Sequence, residues 1–162
     1  MPPRARATRP HMPGYGLPES TQGLKPWSWA EQILRAGHNY WVATARADGR
    51  PHVMPVWAVW HDGALWFSTG GESRKSKNLA ARPECSVGVE HESEAVIVEG
   101  AAERMAASAA PRELAESYAA KYGGGYPDDS PLYRVAPRVA FGFSETAEEF
   151  GEVATRWLFE AE

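Results

Sequence analysis

The run Asn39-Tyr-Trp-Val-Ala-Thr-Ala-Arg-Ala-Asp-Gly-Arg-Pro-His-Val-Met-Pro-Val-Trp-Ala-Val-Trp-His-Asp-Gly-Ala-Leu-Trp-Phe-Ser-Thr69 decides the fold. β-branched and aromatic residues crowd it, and Asp48-Gly49 and Asp62-Gly63 cut it at the spacing of hairpin turns. Strands are therefore expected at Asn39–Arg46, His52–Trp60 and Ala64–Thr69, joined as an antiparallel meander rather than a βαβ unit. Pro55 has no amide hydrogen to donate, so its strand should face a bulge, a sheet margin or a ligand there.

Downstream, the spacing predicts a helix over Ser73–Ala81 ending before Pro83, then a hairpin of Glu84–His91 and Glu94–Met105 turning at Glu92-Ser93. Ala106–Tyr122 reads as a surface helix stopped by Gly123-Gly124-Gly125. The loop 123–131 follows, with strands at Val139–Phe143 and Val153–Phe159. Upstream, Ser28 can cap a helix Trp29–Ala36 that Gly37 ends. Six of the 13 prolines fall within residues 1–26, which is expected to be a flexible, solvated arm ahead of one domain, 27–162. Six or seven strands with two or three helices make the chain mainly β, a small antiparallel barrel with helical additions.

Composition narrows the function. At 162 residues, 43% hydrophobic and 23% charged, the chain can enclose a core and is not disordered throughout. Its formal net charge of −4, with the cations of the arm set against an acidic body, argues against gripping duplex nucleic acid. No apolar run approaches the roughly 20 residues of a membrane helix, and no secretory leader is readable. A cytoplasmic location is expected. Cys85 is the one cysteine, so neither an internal disulfide nor a cysteine-cluster metal site forms. The histidines lack metal-ligand spacing and there is no Gly-x-Ser-x-Gly elbow, so neither a metal centre nor a hydrolase is expected.

Two segments carry candidate chemistry. In Thr69-Gly-Gly-Glu-Ser-Arg-Lys-Ser-Lys-Asn78 a strand passes through glycines into a helix start. Ser73, Arg74, Lys75 and Lys77 crowd that start; cations there oppose the helix dipole, a cost that a bound phosphate would offset. In Pro51-His-Val-Met-Pro-Val-Trp57 a strand with proline and a bulky aromatic could support a flat heterocycle. Tyr133 and His52 are the nearest candidates for an acid or base.

Together these segments resemble the pyridoxamine 5′-phosphate oxidase-like split-barrel family, which includes the flavin- and deazaflavin-dependent oxidoreductases. The likeness runs from about Trp27 to Phe159 and rests on Thr44–Trp57, Leu65-Trp-Phe-Ser-Thr69, Ser73-Arg-Lys-Ser-Lys-Asn-Leu79, Val96-Ile-Val-Glu-Gly100 and Pro137-Arg-Val-Ala-Phe141. The resemblance implies a six-stranded Greek-key FMN-binding split barrel, a homodimer with cofactor sites at its interface, and FMN or coenzyme F420 as cofactor. It assigns the cofactor phosphate to Ser73, Arg74 and Lys75, with Lys77 and Asn78 beside them. The ring falls to His52, Met54, Pro55, Val56 and Trp57, with Ser68 and Thr69 at the neighbouring strand end and Arg156 reaching in from the second subunit. The implied function is to reduce or oxidise a small organic substrate; the alternative is a non-catalytic module of the same fold that binds or sequesters a flavin or haem. Against the oxidase proper, Met54 replaces an arginine, Val59 a lysine, Ala95 a glutamine and Gly142 a tryptophan. Glu152 and Ala154 stand where it binds the pyridoxal substrate, and a glutamate there would repel a phosphorylated compound. Vitamin B6 oxidation is therefore not expected. The Lys75-x-Lys77-Asn78-Leu79 form points toward coenzyme F420.

Overall fold

The structure, a computed structural model, describes residues 4–160. Ten strand segments and four α-helices follow one another among them: β1 (Ala5–Thr8), α1 (Trp27–Ala36), β2 (Tyr40–Ala45), β3 (Pro51–Val56), β4 (Ala58–His61), β5 (Ala64–Ser68), α2 (Arg74–Ala81), β6 (Glu84–His91), β7 (Glu94–Met105), α3 (Arg112–Tyr122), β8 (Leu132–Val135), β9 (Val139–Ser144), α4 (Phe150–Val153) and β10 (Thr155–Phe159). Every strand pair is antiparallel. One sheet runs β1-β10-β9-β7-β6-β2-β3, and a second branches from β7 through β8 and β5 to β4.

The branch lies within β7. Its first half pairs with β9 and its last four residues with β8, while β6 runs along its other side. Gly100 sits at the changeover, where any Cβ would collide with the carbonyl oxygen of Ala136. Between the sheets lies a core of Tyr40, Val42, Leu65, Phe67, Val87, Val98 and Trp157, closed at one end by Ile33 and Leu34 of α1. A second cluster packs Leu114 and Tyr118 of α3 against Val59, Trp66 and Leu132.

The expected hairpin of Glu84–His91 and Glu94–Met105 forms with those bounds. Four differences have physical causes. The run expected as one strand from His52 to Trp60 breaks at Trp57, where the chain leaves one sheet for the other. The first helix starts two residues early and takes Pro26 as its cap, a residue already fixed at an extended φ of −67°. The helix expected over Ala106–Tyr122 begins only at Arg112, after an extended Pro111. Leu132–Val135, where no strand is expected, is a strand because both of its margins are covered, by β5 and β7.

The arm is the main correction. Residues 1–3 lie outside the described residues, but Ala5–Thr8 forms β1 and pairs along all of its length with β10. Arg9 explains why. Its guanidinium reaches the carbonyl oxygens of Ser20 (3.0 Å), Gln22 (2.5 Å), Glu152 (2.6 Å) and Ala154 (3.0 Å), fastening the segment to the chain just before β10. The Trp157 indole then donates to the Lys25 carbonyl at 3.0 Å, and the Lys25 amide to the Thr155 hydroxyl at 3.0 Å. Proline-rich composition excludes helix; it does not exclude a marginal strand whose partners are supplied by distant residues.

No helix among the described residues is long and apolar enough to cross a membrane. Arg9→Ala is expected to lower the unfolding free energy by about 1–3 kcal/mol, read as a lower urea midpoint. Arg9→Lys should recover only part of the loss, because an ammonium cannot fork between several carbonyls. An unchanged midpoint in the alanine variant would show the latch to be idle.

Candidate functional site

The link from β5 to α2 is built from local hydrogen bonds. Ser73 caps α2, its hydroxyl accepting from the Ser76 amide at 3.2 Å and lying 3.3 Å from the Thr69 hydroxyl. The Ser73 amide donates to Gly70 at 3.0 Å, and the Ser76 hydroxyl donates to the same carbonyl at 3.0 Å. Tyr133 of β8 donates to that Ser76 hydroxyl at 2.8 Å. Ser76 thereby ties the turn to the barrel wall. It is buried, and sequence reasoning passed over it because a serine inside a lysine-rich helix reads as surface.

Two residues on, Asn78 is also buried. Its amide donates to the Thr44 hydroxyl at 2.9 Å and docks α2 onto β2. Thr44 lies opposite His52 in the β2–β3 ladder, so this bond brings the start of α2 alongside the His52 side chain. Three cations, Arg46, Lys75 and Arg74, stand close enough there for their charges to act on His52. His52 is held below its ordinary value of 6.5, first by desolvation and then by the charges of Arg46, Lys75 and Arg74. Lys75 is also pushed down, by burial, and only 9% of it is exposed. None of the four makes an ion pair among the described residues. The buried Nδ1 of His52 has no hydrogen-bond partner. Like charges gathered without a counter-charge are unfavourable, and an anion in their midst removes the penalty.

From this cluster β3 leads along the sheet margin, since it pairs only with β2. Met54 and Trp57 stay 45% and 48% exposed there, while Val56 is buried. At the far end a pocket of about 320 Å³ is lined by Asn39, Pro55, Val56, Trp57, Ser68 and Tyr118. Ser68 lines the pocket and its neighbour Thr69 touches Ser73, so the cationic turn and the pocket share one wall. A larger hollow of about 510 Å³ lies over β2, β6 and β7, around Ala43, Thr44, Ser86, Glu99 and Arg138.

The expected site residues thus divide. Pro55, Val56, Trp57 and Ser68 line one pocket, Thr69 touches Ser73 beside it, the charges of Arg74 and Lys75 act on His52, and Met54 stands exposed on β3 between His52 and Pro55. Lys77 pairs with Glu72 at 3.4 Å, and the Asn78 amide is engaged with Thr44. Arg156 is not brought near: it sits on β10, with four strands between it and β3, and its Nε donates to the Thr8 hydroxyl at 3.1 Å. Arg46 was missed, its only sequence signal being its place two residues before the Asp48-Gly49 turn. Tyr133 is fully buried and bonded to Ser76, which removes it as a candidate acid. Cys85 is buried with its thiol pushed up to about 11 by desolvation, so it is no nucleophile. Asn39 and Tyr118 of α3 complete the lining, while the carbonyl of Glu152 holds Arg9. The tryptophan absent at position 142 is replaced in space: a Cβ on Gly142 would lie 2.6 Å from both the Trp29 and Trp157 rings.

Known structures share the architecture. A conserved hypothetical protein of Mycobacterium tuberculosis superposes with a TM-score of 0.65 at 21% identity, over 78% of this chain and 89% of its own. An F420 reductase gives 0.58 at 22%, over 68% and 94%. A FAD-binding protein from Mesorhizobium loti gives 0.61 at 19%, over 98% and 99%. At these identities the likeness is one of fold. No curated protein matches the sequence. The sequence profile of the family described as pyridoxamine 5′-phosphate oxidase matches residues 30–147. With the split barrel, the branched β7 and the margin strand β3 in place, the chain belongs to the pyridoxamine 5′-phosphate oxidase family.

Proposed function

We propose that the protein is an oxidoreductase that holds FMN or coenzyme F420 in the groove between α2 and β3 and acts on a small organic compound. The observation that carries this is the unpaired cationic cluster of Arg46, His52, Arg74 and Lys75 with the orphaned Nδ1 of His52. Arg74 and Lys75 would hold the phosphate, with Ser73 framing the turn, and His52 would supply a further donor. The open margin of β3 from Met54 to Val56 would lie along the ring, where unpaired backbone groups can meet its polar edge. When bound, the ring supplies transfer of a hydride or electron pair; the chain binds, orients and excludes water. Lys77 and Asn78, which pointed toward F420, are engaged elsewhere, so the choice between FMN and F420 rests with the ring end of the groove.

The reading includes a homodimer. One row of opposed residues crosses the large sheet: Arg156, Phe141, Ile97, Gly88, Trp41 and Pro55. All therefore lie on one face, where Trp41 is 52% and the neighbouring Val53 50% exposed. A two-fold axis through the middle of the row would set Arg156 of a second copy over the Pro55 end of the first. That geometry supports a cofactor site completed across the interface.

Three measurements test the reading. Arg74→Ala with Lys75→Ala is expected to weaken FMN or F420 binding at least tenfold, about 1.4 kcal/mol, with the fold intact by circular dichroism. Unchanged affinity for both cofactors overturns the site.

The imidazole of His52, followed by NMR, should titrate below 6.5 in the free protein and shift upward on adding inorganic phosphate. Because the folded value lies below the unfolded one, the associated stability is whole above about pH 6.5 and is lost as pH falls through the lower folded value.

Trp41→Glu should convert a dimer into a monomer in sedimentation and reduce cofactor affinity along with it. A wild-type chain that sediments as a monomer removes the two-fold arrangement.

A further inference from the structure

We propose that the pocket at the Trp57 end of the groove is a separate subsite for a neutral, planar, conjugated ring compound. The compound would stack on the open face of Trp57 and be oriented by hydrogen bonds from Tyr118 and Asn39. What such a compound undergoes there rests on the function proposed above; its binding does not.

The wall is built before any ligand arrives. One face of the Trp57 indole lies against Tyr122, with ring centroids 4.8 Å apart and planes within 7° of parallel. Tyr122 is fixed by its hydroxyl, which accepts from the Ala58 amide at 2.9 Å and reaches the His38 carbonyl at 2.8 Å. The His38 ring meets Tyr122 edge-on at 5.0 Å. Lys121, the next residue back on α3, bonds the Arg35 carbonyl at 3.1 Å and the Tyr40 hydroxyl at 2.6 Å, which pins this helix to the end of α1. Backed in this way the indole cannot turn inward, yet Trp57 remains 48% exposed and lines the pocket. A rigid aromatic plane with one free face selects flat partners, because stacking needs a second π face and little ordering remains to be done.

The lining sets the remaining preferences. None of Asn39, Pro55, Val56, Trp57, Ser68 and Tyr118 carries a charge, so the pocket offers no counter-ion to a charged ligand. A volume of about 320 Å³ is at the small end of the range for small-molecule sites. The polar groups are few. Ser68 already donates to the Pro131 carbonyl, at 3.3 Å. The Tyr118 hydroxyl has only a long approach, 3.5 Å, to the Trp57 carbonyl. The Asn39 side chain makes no hydrogen bond among the described residues. Tyr118 and Asn39 are therefore the groups free to recognise a ligand oxygen or ring nitrogen. Tyr118 is a specificity-determining residue in this account, not an acid or base.

The test uses the full chain without added cofactor and three probes: 2-naphthol, naphthalene and decahydro-2-naphthol. The indole N–H signal of Trp57 is identified as the one lost in Trp57→Phe. Expected is a saturable shift of that signal with 2-naphthol, and binding of the saturated analogue at least tenfold weaker. Tyr118→Phe should weaken 2-naphthol several-fold and leave naphthalene unchanged, a contrast that general loosening of the pocket would not produce. Equal binding of the flat and saturated compounds overturns the proposal, as does 2-naphthol binding that leaves the Trp57 signal unmoved. Adding FMN or F420 separates the two readings. A protein that binds neither cofactor but still shows the Trp57 shift ends the proposed function and keeps the subsite. A cofactor that binds and competes with 2-naphthol makes the pocket the seat of its own ring, ending the separate subsite.

Discussion

The close approach of β7 to the β8–β9 connection is the constraint on which the remaining structure depends. At Gly100 backbone meets backbone, and a single added methyl would strike the Ala136 oxygen. Because nothing intrudes, one twelve-residue strand can serve two sheets, and β8 comes to rest between β7 and β5. From β8 the hydroxyl of Tyr133 reaches Ser76, and Ser76 holds Gly70. The position of the cationic turn is thus inherited from the branch in the barrel through two hydrogen bonds.

The electrostatics of the groove follow from that placement. The start of α2 carries no acidic residue in its first turn, so its cations face the positive end of a helix unrelieved. Burial of Lys75 and the neighbouring Arg46 and His52 compound the effect. A chain that folds into such an arrangement spends stability at the groove and regains it in the core, where Trp157, Tyr40 and Phe67 are fully enclosed.

Much of this was legible in the sequence. The Asp-Gly turns and the β-formers beside them mark the two hairpins β2–β3 and β4–β5, which fall in different sheets rather than in one meander, and the Glu84–Met105 hairpin followed from alternation alone. The turn into α2 was legible too, because glycines followed by a capping serine make a short pattern with one physical meaning. The hidden parts depend on distant partners. Val53 to Trp60 is uniformly apolar apart from Pro55, so nothing local marks Trp57 as the point where the chain changes sheets. Leu132–Val135 is a strand only because β5 and β7 flank it. Asn78 and Lys77 carry the same sort of polar character in one dimension, yet one turns to Thr44 and the other to solvent. Helix phase relative to the barrel decides that, and the phase is set by tertiary packing.

The two lateral margins of the large sheet are finished differently. At β3 the margin carries Pro51 and Pro55, which cannot lend an amide to an intruding strand. At the opposite side β10 would stand bare but for β1, four residues long and bearing Arg6. The proline-rich leader is therefore a selvedge. It stops the sheet from being extended by whatever extended peptide drifts past, and a protease that clipped it would leave β10 as a template for fibrous association.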